Sequence, residues 1–546
     1  MPQQNATHSH TDALVIGAGF GGVRTLIELN KLGLSAIALE AGTDVGGTWY
    51  WNRYPGARTD SESWSYCFPF PEIEQAWNWS ERYPGQAEVQ RYVAFVADHF
   101  DVRRQVTFGQ RVASASYDET ANIWAVTTED GSRYTCTFLI TCLGHLSIPQ
   151  LPQFEGLDTY AGEVYSTAQW PKEEVDFTGK RVAVIGTGAS GIQTIPIVAQ
   201  QAAHLTVFQR TPNYVMPAQN HDLDDAFRQQ IKDDYAEVWR KARSHVFGFP
   251  LDPAGRTYSD VTTEKERHDI FEQGWRDGSF HFVFETFDDL ILDQRSNDAA
   301  AEFIRTKIRE TVEDPATAEL LTPRGYPYIS KRPPSGTDYY ETFNRDNVEL
   351  VDIRNNPIES MTATGLRTSQ RDYDFDAVIF ATGFDAVTGA LNSIDITGKG
   401  GVKLSEAWAG GPENYLGTAT PGFPNLVTVC GPQSAYANIP VIIEAVVTWL
   451  GQALTFMKKN NYERLEATPE ATASWVAQVD AIFNATLLPA GEEVNSWYLG
   501  ANTPGKPRRV LFYFGGAAAY LQVLSDCANK DFEGFDFSRL PVGAHR

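Results

Sequence analysis

Two glycine-rich loops constrain the fold of this chain more than any other feature of its sequence. The first, GAGFGG at residues 17–22, follows an apolar run at residues 13–16 and precedes apolar residues at helical spacing. The second, GTGASG at residues 186–191, follows the β-branched run at residues 181–185 and also precedes a helical pattern. A strand that enters such a loop and leaves it as a helix is typical of a βαβ unit. Two units this far apart predict an α/β protein with two Rossmann-like dinucleotide-binding domains.

The spacing of the glycines indicates what each loop binds. Gly17 makes the tight turn, Gly19 lets the backbone approach a pyrophosphate, and Gly22 lets the helix pack closely against the strand. The pyrophosphate then lies at the N-terminus of the helix. By the same argument, the backbone of the second loop is expected to bind a second pyrophosphate. The residues expected there are Thr187, Gly188, Ala189, Ser190, Gly191 and Gln193.

The residue that ends the second strand of each unit indicates which nucleotide that unit binds. In the first unit it is Glu40, a carboxylate that binds ribose hydroxyls and repels a 2′-phosphate, as FAD or NAD requires. In the second unit it is Arg210, with Thr211 beside it, and a guanidinium suits the 2′-phosphate of NADPH. The alternative for Arg210 is a solvated surface charge. Two dinucleotides in one chain imply hydride transfer from NADPH to a flavin.

The overall charge and the cysteines exclude several other classes of protein. The formal net charge of −24 repels nucleic-acid phosphates, so we expect no DNA or RNA partner. Five cysteines without a CxxC pair indicate a reducing compartment, with neither a disulfide framework nor a zinc site. The polar N-terminus is unlike a signal peptide, and no apolar run reaches the ~18 residues that span a bilayer. We expect a cytoplasmic enzyme without a metal, as a monomer or weak homo-oligomer.

The residue pattern between the two nucleotide units predicts a separate helical element. Over residues 221–324, charged and aromatic residues recur at helical spacing, and no strand alternation is visible. We therefore predict a helical insertion there. The FAD domain is expected to comprise residues 1–150 and 385–546, and the NADP domain residues 151–220 and 325–384.

The electron acceptor of the flavin separates the remaining classes of enzyme. A disulfide reductase needs a closely spaced cysteine pair, whereas Cys136 and Cys142 flank an apolar run typical of a buried strand. The other main acceptor is molecular oxygen. An NADPH oxidase or electron-transfer flavoprotein without an organic substrate is a further alternative.

Three motifs carry a resemblance to a family that uses oxygen. Residues 46–60 read GGTWYWNRYPGARTD and match the pattern GGxWxxxxYPGxxxD. Residues 160–171 match FxGxxxHxxxWP, with Tyr160 in place of Phe and Ser166 in place of His. Residues 380–385 read FATGFD, the family's linker between nucleotide domains. From about residue 12 to its C-terminus, the sequence resembles the type I Baeyer–Villiger monooxygenases of the cyclohexanone and cyclopentanone type.

The resemblance implies a flavoprotein monooxygenase that acts on ketones, with cyclic ketones expected first. In this family NADPH reduces FAD, the reduced flavin forms a C4a-peroxyflavin with O2, and the peroxide attacks the ketone to give a lactone or an ester. The alternative is a related flavin monooxygenase that oxidises amine or sulfide heteroatoms. Heteroatom attack forms no tetrahedral oxyanion, so an active-site cation favours the ketone interpretation.

The resemblance also assigns roles to single residues. Arg332 matches the catalytic arginine, which remains a cation in an apolar site, and Asp60 matches the carboxylate that orients it. The alternative for Asp60 is a helix cap. Contacts with FAD are expected from Gly17, Gly19, Phe20, Gly22, Glu40, Thr48, Trp49, Asp60, Tyr66, Val112 and Ile439. Contacts with NADP are expected from Arg58, Thr187, Gly188, Ala189, Ser190, Gly191, Gln193, Arg210, Thr211, Lys331, Arg332 and Trp497, the last on a mobile C-terminal loop.

Ser166 is the one marked departure from the family pattern. The histidine at this position is expected to serve domain motion and NADP handling more than bond-making. A serine forms hydrogen bonds but carries no positive charge near neutral pH. We hypothesise that the enzyme is active but couples NADPH oxidation to product less tightly.

Overall fold

The computed structural model describes residues 10–539, and the polar N-terminus at residues 1–9 lies outside them. The strands are β1 Thr11–Ile16, β2 Ala36–Glu40, β3 Val106–Phe108, β4 Val112–Asp118, β5 Ile123–Thr128, β6 Arg133–Thr141, β7 Glu163–Ser166, β8 Arg181–Ile185, β9 His204–Gln209, β10 Met216–Pro217, β11 Ser335–Gly336, β12 Val348–Asp352, β13 Ile358–Thr362, β14 Gly365–Thr368, β15 Asp372–Asp374, β16 Ala377–Phe380, β17 Asp395–Thr397, β18 Leu426–Thr428, β19 Arg464–Ala467 and β20 Phe535–Ser538.

The α-helices connect these strands and also form a block of their own. They are α1 Phe20–Lys31, α2 Thr48–Trp51, α3 Pro71–Ala76, α4 Gln86–His99, α5 Ala189–Gln201, α6 Asp225–Ser244, α7 Glu264–Asp277, α8 His281–Phe284, α9 Gln294–Thr311, α10 Pro315–Leu321, α11 Gly389–Asn392, α12 Leu404–Ala407, α13 Ile439–Asn460, α14 Pro469–Asn484 and α15 Ala517–Asn529.

The first sheet is built from both ends of the chain. Its order is β17-β4-β5-β6-β1-β2-β3, with β18 also paired to β6. Strand β1 lies between β2 and β6 in parallel register, so that Leu14 faces Ile37 on one side and Leu139 on the other. A strand with neighbours on both sides and helices on its faces is buried, which explains the uninterrupted apolar run of β1. The carboxyl end of β1 leads directly into the first glycine loop.

The second sheet is parallel throughout, in the order β12-β9-β8-β16-β7. Its central strand β8 leads into the second glycine loop, and all four residues of β16 are buried. In open parallel sheets, ligands bind outside the carboxyl ends of the strands. Both glycine loops lie at such ends, so the fold provides two nucleotide crevices.

A helical block interrupts the second half of the fold. Every residue of the stretch 221–324 is described, and it contains α6 to α10 and no β-strand. Together with the two Rossmann-like sheets, it confirms the predicted fold class. The domain boundaries at residues 150/151, 220/221, 324/325 and 384/385 stay a prediction.

Helix α13 corrects the expectation that no apolar run is long enough to span a bilayer. It has 22 residues and a mean hydropathy of 1.6, enough by length and composition. However, 61% of its most apolar stretch is buried, and it packs between α1 and α15. Its residue Glu444 forms an ion pair with the buried Arg24 of α1, with Nε and Oε2 2.6 Å apart. A helix that is apolar on most sides is typical of a core position.

Candidate active site

The first glycine loop has no room for side chains. A Cβ on Gly17, whose φ is +98°, would lie 2.6 Å from the carbonyl oxygen of Cys142, and one on Gly22 would lie 1.9 Å from that of Gly17. Gly19 faces Gly47, and its Cβ would lie 3.1 Å from the Cα of that residue. Close packing at the outer two glycines brings helix, strand and loop together, as a pyrophosphate site requires.

Glu40 is tied to this loop by hydrogen bonds. Its two carboxylate oxygens accept from the backbone N–H groups of Ala18, at 2.8 Å, and of Gly42, at 2.7 Å. Burial raises the pKa of Glu40, and the two amides oppose that shift. A carboxylate has about four lone-pair sites, so acceptor capacity remains for ribose hydroxyls. Val112 lies close by at the start of β4, two residues after Gln110, whose N–H donates to the Glu40 carbonyl.

An aromatic wall stands beside the loop. The Trp49 indole N–H donates to the Tyr66 hydroxyl at 3.3 Å, and the rings of Phe20 and Tyr66 meet edge to face at 5.3 Å. Thr48 begins the short helix that carries Trp49. Ile439 begins α13 next to Asn438, whose side-chain amide donates to the carbonyl beside Tyr66, that of Ser65, at 2.8 Å. The structure thus brings Phe20, Thr48, Trp49, Tyr66 and Ile439 together, and their contacts with FAD stay a prediction.

The second glycine loop leaves open space at one glycine only. A Cβ on Gly186 would lie 2.4 Å from the Ala381 carbonyl oxygen, and one on Gly191 would lie 2.1 Å from that of Gly186. A Cβ on Gly188 would meet nothing within 4 Å. The crowded positions, Gly186 and Gly191, match the glycines that allow close packing, and the open position, Gly188, matches the glycine that a nucleotide approaches. Ala189 and Ser190 begin helix α5 directly after this opening.

Contacts from the motif at residues 46–60 hold this second loop in place. The Tyr54 hydroxyl donates to Oε1 of Gln193 at 2.8 Å, and Gln193 Nε2 donates to the Arg58 carbonyl at 3.1 Å. The guanidinium of Arg58 forms an ion pair with Glu81, with Nη1 and Oε2 3.0 Å apart. Arg58 therefore reaches the second loop through its backbone, and its cation is already paired.

Three cations without a carboxylate partner face one another beyond this loop. Arg210 and Lys331 form no ion pair within residues 10–539, and Arg354 joins them, its guanidinium 3.4 Å from the Thr211 hydroxyl. Burial and the charges of Arg210 and Arg354 lower the pKa of Lys331 to about 8. Thr187 closes the group from the loop side, because its hydroxyl donates to the Thr211 carbonyl at 3.3 Å. A cluster of unpaired cations suits a phosphate dianion.

Arg332 and Asp60 form an ion pair in the folded chain. Nη2 of Arg332 lies 2.6 Å from Oδ2 and 2.7 Å from Oδ1 of Asp60, and the side chains are 28% and 16% exposed. Burial lowers the pKa of Arg332, but the Asp60 carboxylate outweighs it and raises the pKa well above its ordinary value. The 3₁₀ turn that follows Asp60 has Glu62 at its N-cap position, so the helix-cap alternative for Asp60 is wrong. The arginine is a permanent cation in a partly enclosed site.

Residues of the helical block and of the C-terminal segment surround this ion pair. The Arg332 guanidinium lies over the Phe280 ring at 5.8 Å, and the Ser279 hydroxyl donates to the Asp60 carbonyl at 3.3 Å. From the other side, Tyr436 packs against Trp497, with ring centroids 5.9 Å apart. The site is therefore walled by aromatic rings from three distant parts of the chain.

The C-terminal segment that carries Trp497 is bound to the FATGFD linker by an ion pair and a hydrogen bond. Lys506 Nζ lies 2.6 Å from Oδ1 of Asp385, and the Asn502 side-chain amide donates to the Phe384 carbonyl at 2.8 Å. Trp497 is thereby held next to the ring of Tyr436. Its predicted contact with NADP stays a prediction.

The thiols show no sign of redox function. Burial raises the pKa of Cys142 to about 12, and its Sγ lies 3.6 Å from the Thr25 hydroxyl. Cys136 is fully buried within β6, and all five cysteines are free. Because a reactive thiol needs a lowered pKa and access to solvent, the disulfide-reductase alternative is wrong.

Comparisons with known proteins agree with this geometry. The family model described as "Pyridine nucleotide-disulphide oxidoreductase" matches residues 14–251. A Baeyer-Villiger monooxygenase from Pseudooceanicola batsensis is 42% identical over 94% of this chain and 94% of its own length. The cyclohexanone 1,2-monooxygenase of an Acinetobacter species is 41% identical over 96% of each chain. A crystal structure of OTEMO in complex with FAD and NADP superposes with a TM-score of 0.93 at 41% identity, covering 97% of this chain and 99% of that one.

This chain belongs to the Baeyer–Villiger monooxygenases. It is an NADPH-dependent flavoprotein, with FAD and NADP as its cofactors. The two glycine loops fit these cofactors, because close packing at Gly17, Gly22, Gly186 and Gly191 requires glycine and Gly188 leaves open space where a pyrophosphate binds.

Ser166 of this Baeyer–Villiger monooxygenase lies at the end of β7, opposite Phe380 of the FATGFD linker. Its hydroxyl accepts a hydrogen bond from the Ala168 N–H at 3.3 Å and caps the 3₁₀ turn that follows. The residue at the departing position thus has a local structural partner next to the linker between the two sheets.

Sequence reasoning missed the roles of four residues of the site. Arg354 lies 144 residues from Arg210 along the chain, and Phe280 and Phe512 belong to segments without a motif. Tyr498 follows Trp497 in a stretch that resembles the family, but the resemblance assigns it no role. Their positions in the site result from tertiary contacts, and no local sequence pattern indicates their roles.

We predict opposite effects for two alanine substitutions in the second glycine loop. Gly191→Ala places a methyl group against a carbonyl oxygen and should lower the free energy of unfolding by about 1–3 kcal/mol. Gly188→Ala, at φ −83°, should change it by less than about 0.5 kcal/mol. The same methyl group enters the path of the pyrophosphate and should weaken NADPH binding about tenfold or more. Denaturant unfolding and NADPH titration measure both, and normal NADPH binding by Gly188→Ala would contradict the assignment.

We predict that NADPH affinity falls as pH rises through the pKa of Lys331. Below about pH 8 the ammonium group attracts the 2′-phosphate, and above it the neutral amine does not, so the Kd should rise about tenfold between about pH 7 and pH 9. Lys331→Met should flatten this dependence, and NADH, without a 2′-phosphate, should show none. An equally steep pH dependence for NADH would assign the effect to another group.

We predict that Ser166→His lowers the hydrogen peroxide released per NADPH consumed. The imidazole restores the side chain that the family pattern has at this position, next to the linker. The measurement is peroxide yield against NADPH oxidation in the presence of ketone. An unchanged leak would show that the serine does not limit coupling.

Proposed function

We propose that this enzyme inserts one oxygen atom beside the carbonyl of a ketone, with cyclic ketones as its first substrates. In the balanced reaction a ketone, O2, NADPH and a proton give a lactone or ester, NADP and water. The observation that carries the proposal is the Arg332–Asp60 ion pair inside an aromatic enclosure. When bound, FAD and NADPH supply the redox chemistry, in which nicotinamide electrons reduce O2.

The part of Arg332 is electrostatic. As oxygen adds to the carbonyl carbon, the electron pair of the C=O bond moves onto the ketone oxygen, and a fixed cation in a partly dry site stabilises that charge. The raised pKa keeps the guanidinium protonated throughout. Asp60 orients the guanidinium through both of its oxygens and is itself held by the Ser279 hydroxyl.

The heteroatom alternative is not favoured. Oxidation of an amine or a sulfide places no negative charge on a substrate oxygen during attack, so it gives the Arg332–Asp60 pair nothing to stabilise. The same residues have a direct task in ketone oxidation. Sulfides nevertheless belong in the substrate panel, as the comparison class.

We predict that the purified holoenzyme, supplied with NADPH, O2 and cyclic, linear and aromatic ketones, forms products one oxygen heavier than the ketone, as measured by mass spectrometry. Arg332→Ala should lower that yield by about 10²-fold or more while NADPH is still consumed. NADPH consumption at the same rate with and without ketone, yielding only peroxide, would instead indicate an oxidase.

A matched control is available on the surface. Arg367 also forms an ion pair with an aspartate, Asp372, with Nε and Oδ1 2.7 Å apart, but both side chains are more than half exposed. Arg367→Ala should leave product yield and peroxide release unchanged. A loss of yield equal to that of Arg332→Ala would point to a general effect of removing a cation.

The cellular location, the oligomeric state and the domain arrangement complete the proposal. We expect the enzyme to work in the cytoplasm, free of membranes, as a monomer or weak homo-oligomer. The negative charge and the free cysteines support this. The FAD domain from residues 1–150 and 385–546 and the NADP domain from residues 151–220 and 325–384 would form the two sides of the active site.

A further inference from the structure

Tyr436 occupies a fixed position beside the ion pair. It lies on the loop between β18 and α13, and its ring packs against four others at centroid distances between 4.9 and 5.2 Å. These are the rings of Phe247, Tyr498, Phe512 and Phe514. A ring enclosed on several sides cannot swing away, so the direction of its hydroxyl is set by packing.

The hydroxyl of Tyr436 is left with a free hydrogen. Tyr498, which is 1% exposed, donates its own hydroxyl hydrogen to Tyr436 Oη across 3.1 Å. A phenol has one hydrogen to donate, and this bond uses the hydrogen of Tyr498. Tyr436 therefore keeps its hydrogen for another acceptor.

The surroundings keep this group protonated and close to the catalytic cation. Burial raises the pKa of Tyr436 to about 12, although the nearby Arg332 guanidinium opposes the shift. At working pH the phenol is neutral and remains a donor. Within residues 10–539, the Tyr436 hydroxyl accepts a hydrogen bond from Tyr498 and donates none to another protein group.

We propose that Tyr436 is a further catalytic residue, whose hydroxyl donates a second hydrogen bond, beside Arg332, to the ketone oxygen. Tyr498 is its positioning residue. The proposal rests on the ketone chemistry of the proposed function. As the C=O electron pair moves onto oxygen, the oxyanion accepts from Tyr436 and faces Arg332. The phenol keeps its proton. The pair then returns to form the new carbonyl while a carbon migrates from the carbonyl carbon to the added oxygen, and the O–O bond breaks with its electron pair on the departing oxygen.

The decisive variant is Tyr436→Phe, which removes one hydroxyl and keeps the ring that packs against the four neighbouring aromatic rings. With a ketone that the wild type oxidises, kcat should fall about 10- to 100-fold, with a smaller change in KM. Reduction of the flavin by NADPH should keep its rate, and peroxide release should rise. Tyr498→Phe should lose less, because the Tyr436 hydroxyl remains but is no longer aligned.

Tyr513→Phe is the matched control. Tyr513 follows Phe512 in the chain, but its ring stacks on Trp475, with the ring centroids 5.0 Å apart. The same loss of a hydroxyl should leave kcat, KM and peroxide release as in the wild type. A decrease equal to that of Tyr436→Phe would assign the effect to packing and would overturn the proposal.

Binding without turnover separates this proposal from the proposed function. A cyclic amide presents a carbonyl oxygen but is not oxidised, and calorimetry on the oxidised holoenzyme with NADP measures its Kd. Tyr436→Phe should weaken that binding about three- to tenfold, the value of one hydrogen bond. Equal lactam binding together with wild-type kcat would show that the hydroxyl only fills space. Failure of the wild type to oxidise any ketone would contradict the proposed function. The lactam titration would still show whether the Tyr436 hydroxyl donates a hydrogen bond to a bound carbonyl oxygen.

Discussion

The ion pair of Arg332 with Asp60 is the interaction on which the rest of the site depends. It joins residues 272 positions apart, one in the motif beside the first sheet and the other just after the helical block. Removing charges from water is costly, and a buried ion pair that loses one partner leaves the other uncompensated. The pair therefore links the motif beside the first sheet to the segment that follows the helical block. Phe280 and Tyr436 both lie close to this pair.

The sequence revealed those parts of the fold whose constraints are local. Glycine is required at Gly17, Gly22 and Gly191 because a Cβ atom there would clash with a backbone carbonyl oxygen. These positions have a fixed spacing along the chain, so the sequence shows them directly. The strands of both sheets were visible because burial on both faces requires apolar runs. Helix α13 obeys the same rule, but its burial came from α1 and α15, which its own sequence does not show. Composition alone therefore could not tell that a helix with the hydropathy of a membrane span is a core helix.

The substrate side of the site was largely hidden for a related reason. The motif positions Arg332 and Asp60 were found by resemblance, and the structure places them in contact. Phe280 and Tyr498 come from segments more than 200 residues apart, and they share a wall only after the chain has folded. Ser166 lies between these cases. The substitution was plain in the sequence, but the cap that its hydroxyl forms opposite the linker exists only in the folded chain.

Charge explains why a strongly acidic protein binds two anionic nucleotides. At a net charge of −24 the long-range field repels them, and salt screens that field beyond about 10 Å. Binding must then come from short-range groups. Most arginines of the described chain are neutralised by a nearby carboxylate, as Arg58 is by Glu81. Arg210 and Lys331 are not. Burial, together with the charges of Arg210 and Arg354, lowers the pKa of Lys331, and a bound phosphate would relieve the repulsion among these cations. This relief is the physical basis on which we expect the cluster to favour the nucleotide that carries the extra phosphate.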